Sequence, residues 1–327
     1  MKRFFNIAIK ALVTLGLLYY VFSRFGIDTI GSQLLSVDYR FLLLGVAIFV
    51  FSNFLGAFQW QLLLQGQGIA FPYRRAANLY FIGLFFNSIL PSCLGGDVVK
   101  VYSISRIERK GREGLAATFV DRFAGFFLLA LLAIGASVFL FADPLVAKQA
   151  LTKDIIISIC AIFTIFLLSV VIIFSRRVGR FIYEVLLGGV NPFGLRDRFR
   201  DLHSYLHIYR EKHLLAVQIF FLSLAIQVAR IAVHYFCARA IGFNIDFLFF
   251  QLLVPLIAMA AILPISFGGL GVRETTGSVL FAPVAAAASM DVSLAVTTQL
   301  LASLVGILVG LAGGALFILD RKTPQDG

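Results

Sequence analysis

The sequence predicts an all-α polytopic membrane protein. Of its 327 residues, 60% are hydrophobic and 14% are charged, and its mean hydropathy of +0.94 is too high for a water-soluble domain. Several runs of about 20 nearly uncharged residues are long enough to cross a hydrocarbon core of roughly 30 Å. A sequence motif that breaks helices also occurs twice. We therefore predict about six full spans and two broken, re-entrant elements arranged as an inverted repeat.

The repeated motif consists of Ile-Leu-Pro, three variable residues, Gly-Gly, two variable residues, Val and a basic residue. It runs from Ile89 to Lys100 and, 173 positions later, from Ile262 to Arg273. Proline lacks the backbone N–H and glycine loses the most entropy in a helix, so each copy predicts a helix, a break and a second helix. Broken helices in corresponding halves of a chain point to a transporter-like site. The breaking residues are Pro91, Gly95, Gly96, Pro264, Gly268 and Gly269.

The full spans follow from the lengths of the apolar runs. The N-terminal run resembles a signal peptide, but no small-x-small cleavage site follows it, so we interpret it as an uncleaved first span. The predicted spans are residues 5–23, 41–64, 118–141, 155–174, 214–238 and 292–319.

The whole chain, 1–327, is predicted to be one transmembrane domain. Repeat 1 covers about 41–174 and repeat 2 about 214–319, with a basic connector at 175–213. The broken elements occupy about 76–97 and 247–289. The basic, amphipathic residues 98–113 are predicted to form a helix at the membrane surface.

The distribution of basic residues predicts the orientation. With a cytoplasmic N-terminus and two re-entrant elements, 19 Lys and Arg lie inside and six outside, as expected when cytoplasmic loops carry the excess. Both termini would then be cytoplasmic. Residues 100–112 and 175–213 would face anionic lipid, which explains the formal charge of +11 without nucleic acid. A topology in which each broken stretch makes complete spans stays open.

Ionisable residues at membrane depth are the candidates for binding a substrate, because they are costly there. Asp97 is either an N-cap that also pairs with Lys100 or a functional carboxylate. Lys100 and Arg273 hold matching positions, either as snorkelling anchors or as groups that grip a phosphate beside a half-helix N-terminus. The full set is Asp97, Lys100, Arg122, Arg230, His234, Arg273 and Glu274.

The remaining candidates each have two interpretations. Gln227, Arg230 and His234 share one helix face, and a cation at mid-span needs a partner, a water-filled cavity or a lipid phosphate. Glu274 either neutralises Arg273 or acts as a gate. Asp121-Arg122 is either functional or a boundary pair whose members do not share a face.

Other polar and small residues favour structural roles. Asn53, Gln59 and Trp60 could line the same cavity, but interhelical hydrogen bonds and an interfacial indole are favoured. A ridge of small residues on the last span predicts close helix packing. It consists of Ser303, Gly306, Gly310 and Gly313.

Known catalytic patterns are missing from the sequence. It has no GxSxG, Walker loop or HExxH motif, and its three cysteines are far apart. We therefore expect no catalytic residue, metal or cofactor.

The two breaks carry a family resemblance. The stretch from Asn87 to Lys100, the Asp121-Arg122 pair and the stretch from Pro264 to Glu274 resemble the lysylphosphatidylglycerol synthase transmembrane family, also called flippase-like membrane proteins. The resemblance covers nearly the whole chain. In larger members this region is fused to a soluble aminoacyl-transferase domain and translocates the aminoacylated lipid. Here only eight residues follow the last predicted span, so we expect no synthase half and have no reason to expect lysyl-phosphatidylglycerol as cargo.

The resemblance implies lipid handling in a bacterial or archaeal-type cytoplasmic membrane. The leading hypothesis is a flippase that moves an anionic phospholipid-type or polyprenyl-type headgroup between leaflets. One alternative is a membrane-embedded transferase acting on a lipid phosphate, with Asp97 or His234 as base. Another is an accessory subunit of an envelope lipid pathway. A homo-oligomer and an envelope-synthesis partner both stay open.

Overall fold

The computed structural model describes residues 2–90, 95–142, 212–262 and 265–322, together with residues 157, 164 and 209. Every regular element in these residues is a helix. The helices are α1 Lys2–Phe25, α2 Ile27–Leu35, α3 Tyr39–Gly66, α4 Tyr73–Ile89, α5 Gly95–Ile107, α6 Gly111–Ala142, α7 His213–Ala240, α8 Phe247–Ile262, α9 Val272–Ala287 and α10 Ser293–Lys322.

Five of these helices are long and apolar enough to cross a membrane. They are α1, α3, α6, α7 and α10, through Ala8–Phe25, Tyr39–Gly66, Gly111–Leu140, His213–Ala240 and Ser293–Ile318. Each coincides with a predicted span. Nearly all of the predicted span at 155–174 and of the connector 175–213 lies outside the described residues, as do Pro91 and Pro264.

The helix ends follow local chemistry. The Asp38 side chain accepts a hydrogen bond from the backbone N–H of Arg40 at the start of α3, as an N-cap does. At the end of α4, Leu90 is extended, with φ −74° and ψ 145°, which is the conformation that a following proline favours. Gly242 ends α7 with φ 78°, a value that glycine adopts readily.

Apolar residues lie on both sides of the helices. The largest core cluster joins α6, α7, α8, α9 and α10 around Phe250 and Phe281. Outward-facing residues such as Leu12, Leu43, Phe139 and Leu308 are mostly exposed. An exposed apolar surface on the long helices fits a hydrocarbon environment rather than water, so this is an integral membrane protein.

One expectation from the sequence is wrong in detail. Residues 98–113 do not form one surface helix: α5 ends at Ile107 and α6 begins at Gly111, with Arg109 at φ 55° between them. Lys100 is only 4% exposed, so it faces the interior rather than an anionic lipid surface. Because α5 packs against α4 and α6, it does not lie at the membrane surface as its amphipathic pattern predicted.

Contacts between loops place several chain segments together at one end of the bundle. The Lys110 ammonium donates to the Gly68 carbonyl at 2.8 Å, and that of Lys212 donates to the Gly66 carbonyl at 2.7 Å. The end of α3 therefore lies beside the α5–α6 loop and the start of α7. We call this group of segments the first end.

A second set of contacts defines the opposite end of α3. The backbone N–H of Asp38 donates to the Ala240 carbonyl at 2.8 Å, so α3 begins where α7 finishes. The Gln33 side chain donates to the Ser293 hydroxyl at 2.8 Å, which places the start of α10 near the same point. We call these segments the second end.

The two helix breaks lie against each other inside the protein. The Gly83 carbonyl of α4 approaches Gly96 of α5 so closely that a Cβ on Gly96 would clash with it. A Cβ on Gly268 of the second break would lie 3.4 Å from the Asn87 carbonyl oxygen, at the end of α4. Gly268, Gly269 and Gly271 all have positive φ, between 57° and 81°, which explains why glycine occupies this break.

Candidate functional site

A cavity of about 320 Å³ lies between the two breaks. Its wall is formed by residues of α3 to α10 and the second break, including Asn87, Gly268 and Leu270. Six of the seven predicted binding residues line it: Asp97, Lys100, Arg122, Arg230, His234 and Arg273. The fold therefore gathers residues that are up to 176 positions apart in sequence into one site.

Four of the charged side chains neutralise one another. Arg122 donates from Nε to Asp97 at 2.6 Å. The Lys100 ammonium lies 3.0 Å from Asp97 and 3.8 Å from Asp121. Two cations thus face two carboxylates, and we call this group the ion-pair network.

Lys100 lies at the centre of the network. Its ammonium sits 4.7 Å from the centre of the Tyr80 ring and 5.2 Å from that of Trp60, a cation–π arrangement that further stabilises a desolvated cation. Burial, two carboxylates and two rings leave it poorly placed to meet a ligand directly.

Asp121 is fixed from the other side by a polar chain. The Gln59 amide donates to Asp121 at 2.9 Å and accepts from the Ser223 hydroxyl at 2.8 Å. These hydrogen bonds link α3, α6 and α7. Gln59 therefore makes interhelical hydrogen bonds and also lines the cavity, the two roles considered for it from the sequence.

Arg230 and Arg273 differ from the other two cations. Among the described residues, neither guanidinium forms an ion pair with a carboxylate. Arg230 donates to the Tyr80 hydroxyl at 3.3 Å, a neutral and long hydrogen bond. Both residues are partly buried and both line the cavity. The wall therefore carries two positive charges that its own carboxylates do not balance.

The polar face predicted on α7 points into this cavity. Gln227, Arg230 and His234 all line it, and Gly125 of α6 leaves space for the Gln227 amide. The His234 Nδ1 atom is buried and has no hydrogen-bond partner among the described residues. A buried polar atom without a partner in the protein indicates a place for water or a ligand.

Glu274 has a different position from the one considered for it. It is fully buried, outside the cavity wall. Its carboxylate accepts hydrogen bonds from the Gly271 N–H at 2.7 Å and from the Ser303 hydroxyl at 3.0 Å. These bonds tie the start of α9 to α10, and the carboxylate makes no ion pair with Arg273 among the described side chains.

Asp97 is not an N-cap. It is the third residue of α5, and its side chain bonds Lys100 and Arg122 instead. Asp121-Arg122 is not merely a boundary pair either, since both residues line the cavity and join the network. Adjacent side chains on a helix point about 100° apart, which still lets two neighbours flank one concave wall.

Sequence reasoning missed Tyr80 and Asn87. Tyr80 contacts both Lys100 and Arg230, but a tyrosine in an apolar run carries no signal of its own. Asn87 accepts the Gly96 N–H at 2.7 Å and so holds the start of α5. Its place just before the first break was the available signal.

Of the remaining interpretations, the structure contradicts that of Trp60 and agrees with that of the small-residue ridge. Trp60 is fully buried and donates to the Thr118 hydroxyl at 3.0 Å, so the interfacial indole is wrong. Gly310 and Gly313 meet the backbone of α4, as predicted for a packing ridge. Ser303 and Gly306, at the other end of the ridge, line the cavity.

The chemistry of this wall suits binding of an anion better than bond cleavage. The Ser88 hydroxyl donates to the Leu84 carbonyl in its own helix, and the Ser303 hydroxyl to Glu274. Among the described residues, Ser88 contacts no base that could activate it as a nucleophile, and the carboxylate that accepts from Ser303 is itself held by the Gly271 N–H. Guanidinium groups, by contrast, match the oxygens of a phosphate or carboxylate.

Comparison with known proteins gives relatives of similar length. The chain is 27% identical to the UPF0104 membrane protein PH1989 of Pyrococcus horikoshii, with 98% of each chain covered. It is 24% identical to a UPF0104 membrane protein of Methanothermobacter thermautotrophicus, over 77% of this chain and 76% of the relative. Residues 7–313 match the family described as the lysylphosphatidylglycerol synthase TM region. The match covers both breaks and every residue of the cavity wall, so the chain belongs to this family of integral membrane proteins.

Proposed function

We propose that this protein is a lipid flippase that moves an anionic headgroup between the two membrane leaflets through the cavity. The observation that carries the proposal is the pair Arg230 and Arg273, which line a cavity and have no carboxylate partner among the described residues. An unbalanced cation inside a membrane is costly, and a passing anion offsets that cost. Membership in a family named for a lipid supports a lipid as the anion.

The proposal includes the re-entrant course of both broken elements. The four helices around the breaks have 13 to 17 residues, so even the longest extends only roughly 25 Å, less than a hydrocarbon core. Gly68, just before α4, contacts Lys110, just after α5, which supports entry and exit at the first end.

Contacts at the second end support the same course for the second broken element. Helix α8 begins at Phe247, shortly after Ala240, which contacts Asp38. Helix α9 finishes at Ala287, shortly before Ser293, which contacts Gln33. Two hairpins entering from opposite ends and meeting at Asn87 and Gly268 fit an inverted repeat, in which each side reaches a shared site in turn.

The transferase hypothesis is less well supported, because neither base considered for it, Asp97 or His234, bonds a hydroxyl group among the described residues. Asp97, one of the bases considered for it, is held by two cations, and a carboxylate in ion pairs is a weak proton acceptor. We accordingly propose a transporter without a catalytic residue.

The test is lipid movement by the purified protein. Arg230→Gln and Arg273→Gln should each slow translocation of an anionic fluorescent lipid in liposomes by about tenfold or more, because a hydrogen bond to a charged group contributes about 1.5–3 kcal/mol. Arg230→Lys should restore only part of the rate if the contact is bidentate.

The matched control is Arg239→Gln. Arg239 lies on the same helix as Arg230, but it bonds Asn244 at 2.9 Å and lies outside the cavity wall. Its rate should equal that of the parent. If Arg230→Gln and Arg273→Gln both fold and also translocate lipid at the parent rate, the proposed site is wrong. If the parent moves no lipid, the flippase itself is wrong.

A further inference from the structure

We infer that the headgroup recognised by this cavity is a phosphate monoester carrying two negative charges, rather than a phosphodiester carrying one. The inference rests on the proposed function, because it concerns the ligand of the same cavity. It follows from the charges of the cavity wall and from the way in which they are paired.

The ion-pair network is balanced in charge. Lys100 and Arg122 face Asp97 and Asp121 at 2.6 to 3.8 Å. Two cations and two carboxylates cancel, so this half of the wall has no charge left for a ligand. Separating any of these pairs would leave a buried charge without a partner, which is strongly unfavourable.

The rest of the cavity wall keeps a net positive charge. Arg230 and Arg273 contribute two positive charges, and a guanidinium does not lose its proton in proteins. The described wall thus has a formal charge of +2 when His234 is neutral. A phosphate monoester is close to −2 above its second pKa, about 6, and so matches both groups. A phosphodiester at −1 leaves one guanidinium unbalanced in a site of low dielectric.

The number of hydrogen-bonding groups on the wall also favours a phosphate monoester. Arg230 comes from α7 and Arg273 from α9, so two separate elements present planar donor forks. His234 lies one turn beyond Arg230, and its Nδ1 is buried without a partner among the described residues. A monoester has three terminal oxygens that can accept from the two guanidinium groups and from a His234 whose Nδ1 carries the proton, whereas a phosphodiester has two.

The experiment compares lipids that differ only in their headgroup, bound to the purified full chain at pH 8. The probes are phosphatidic acid, phosphatidylglycerol and phosphatidylcholine with identical acyl chains, measured by native mass spectrometry and by translocation in liposomes. Soluble glycerol 3-phosphate supplies the same phosphate without a membrane anchor. Phosphatidic acid should bind and move about tenfold better than phosphatidylglycerol, since one desolvated charge pair distinguishes them.

A variant with one positive charge fewer in the cavity wall provides a second test. Arg273→Gln lowers the wall to +1, so the preference for phosphatidic acid over phosphatidylglycerol should fall to about one while some binding persists. Arg239→Gln should keep the parent preference, because Arg239 lies outside the cavity. The comparison of the four probes on the parent protein needs no variant, and it stands even if Arg273→Gln does not fold.

The outcomes separate this inference from the proposed function. Equal binding and equal movement of phosphatidic acid and phosphatidylglycerol would overturn the inference and leave the flippase intact. Movement of none of the lipids would overturn the flippase itself. Binding of glycerol 3-phosphate as tight as that of phosphatidic acid, without movement of any lipid, would assign the cavity to a soluble phosphate and overturn both.

Discussion

Lys100 and Arg273 occupy matching positions in the two copies of the repeated motif, yet their surroundings differ. Asp97 lies three residues before Lys100 and pairs with it, whereas the corresponding residue of the second copy is Leu270. Lys100 is therefore neutralised inside the protein, and Arg273 keeps its charge for the cavity. A basic residue in the same motif position is thus balanced by carboxylates in one repeat, and in the other it lines the cavity without a carboxylate partner among the described residues.

This difference predicts the behaviour of Asp97→Asn. The change leaves Lys100 and Arg122 facing Asp121 alone, so the free energy of unfolding should fall by about 3 kcal/mol. Adding Lys100→Met should recover part of that loss, because the number of positive and negative charges in the network becomes equal again. Thermal unfolding in detergent measures both effects.

Asp246→Asn is the control for that change. Asp246 is exposed and accepts the Leu248 N–H at 2.8 Å as a helix cap, a role that asparagine fills nearly as well. Its unfolding temperature should be that of the parent. An Asp97→Asn protein of parent stability that no longer moves lipid would instead assign Asp97 to charge balance or proton coupling during transport.

Trp60 offers a direct probe of the network. It is the only tryptophan of the sequence, and its ring centre lies 5.2 Å from the Lys100 ammonium. Lys100→Met should change its emission maximum and intensity, because a cation beside an indole alters the energy of its excited state. Lys110→Met removes a partly exposed lysine that bonds Gly68 instead and should leave the spectrum unchanged. Identical spectra for parent and Lys100→Met would contradict the contact.

Among the helices, the contact of α10 with α4 holds the first broken element in place. Gly313 meets the Phe81 carbonyl, and Gly310 lies near the Leu84 carbonyl and the Ser88 hydroxyl. Such close backbone approach is how membrane helices gain packing energy without a hydrophobic driving force. The small-residue ridge thereby positions the wall of the cavity.

Gly313→Ala should accordingly destabilise the protein, since the added Cβ would clash with the backbone of α4. We expect a cost of about 1–3 kcal/mol from overpacking. Gly306→Ala is the matched change on the same helix, and there the nearest atom, of Phe49, lies 4.0 Å from the new Cβ. Thermal unfolding should separate the two variants, and equal stabilities would refute the packing role of Gly313.

Helix α1 supports the second break through one side chain. The Thr14 hydroxyl accepts a hydrogen bond from the Phe267 N–H at 3.0 Å. Phe267 directly precedes Gly268 and Gly269, so Thr14 satisfies a backbone group that the break leaves without a helical partner.

Thr14→Val removes this acceptor while keeping the shape of the side chain. We expect a loss of about 1–3 kcal/mol in unfolding free energy, because the partly buried N–H of Phe267 is left without a partner. Ser23→Ala on the same helix removes a hydroxyl that bonds only its own helix, at the Tyr20 carbonyl. That control should cost less than 1 kcal/mol, and a Thr14→Val protein as stable as the control would show that α1 does not hold the break.

At the scale of the whole molecule, the contacts sort the loops into two ends. The first end holds Gly68, Lys110 and Lys212, and the second holds Asp38, Ala240 and Ser293. This grouping agrees with the sides inferred from the 19 to six distribution of basic residues. The absolute orientation, with the first end and both termini in the cytoplasm, stays a prediction from the positive-inside rule.

Thiol labelling tests that orientation. In a background without Cys93, Cys160 and Cys237, Arg106→Cys at the first end should be protected from an impermeant reagent in intact cells. Asn244→Cys at the second end should react, and both positions are exposed in the fold. Both should react once the cells are permeabilised. Labelling of Arg106→Cys alone in intact cells would invert the orientation.

The sequence by itself determined the membrane class, the five spans found among the described residues, the two breaks and six residues of the cavity. Long apolar runs and the combination of proline with paired glycines act locally, so a single chain shows them without tertiary contacts. The polar face of α7 was equally readable, because three residues share a side through helical periodicity alone.

Only the tertiary structure decided which charges neutralise one another. Arg122 and Asp97 are 25 residues apart, and Lys100 meets Asp121 across two helices, so no local pattern shows that these pairs cancel. The same packing directed Glu274 to Gly271 and Ser303, away from the cavity. Whether an ionisable residue is available to a ligand depends on the groups brought within about 4 Å of it, because Coulomb energy in a site of low dielectric is dominated by the nearest charges.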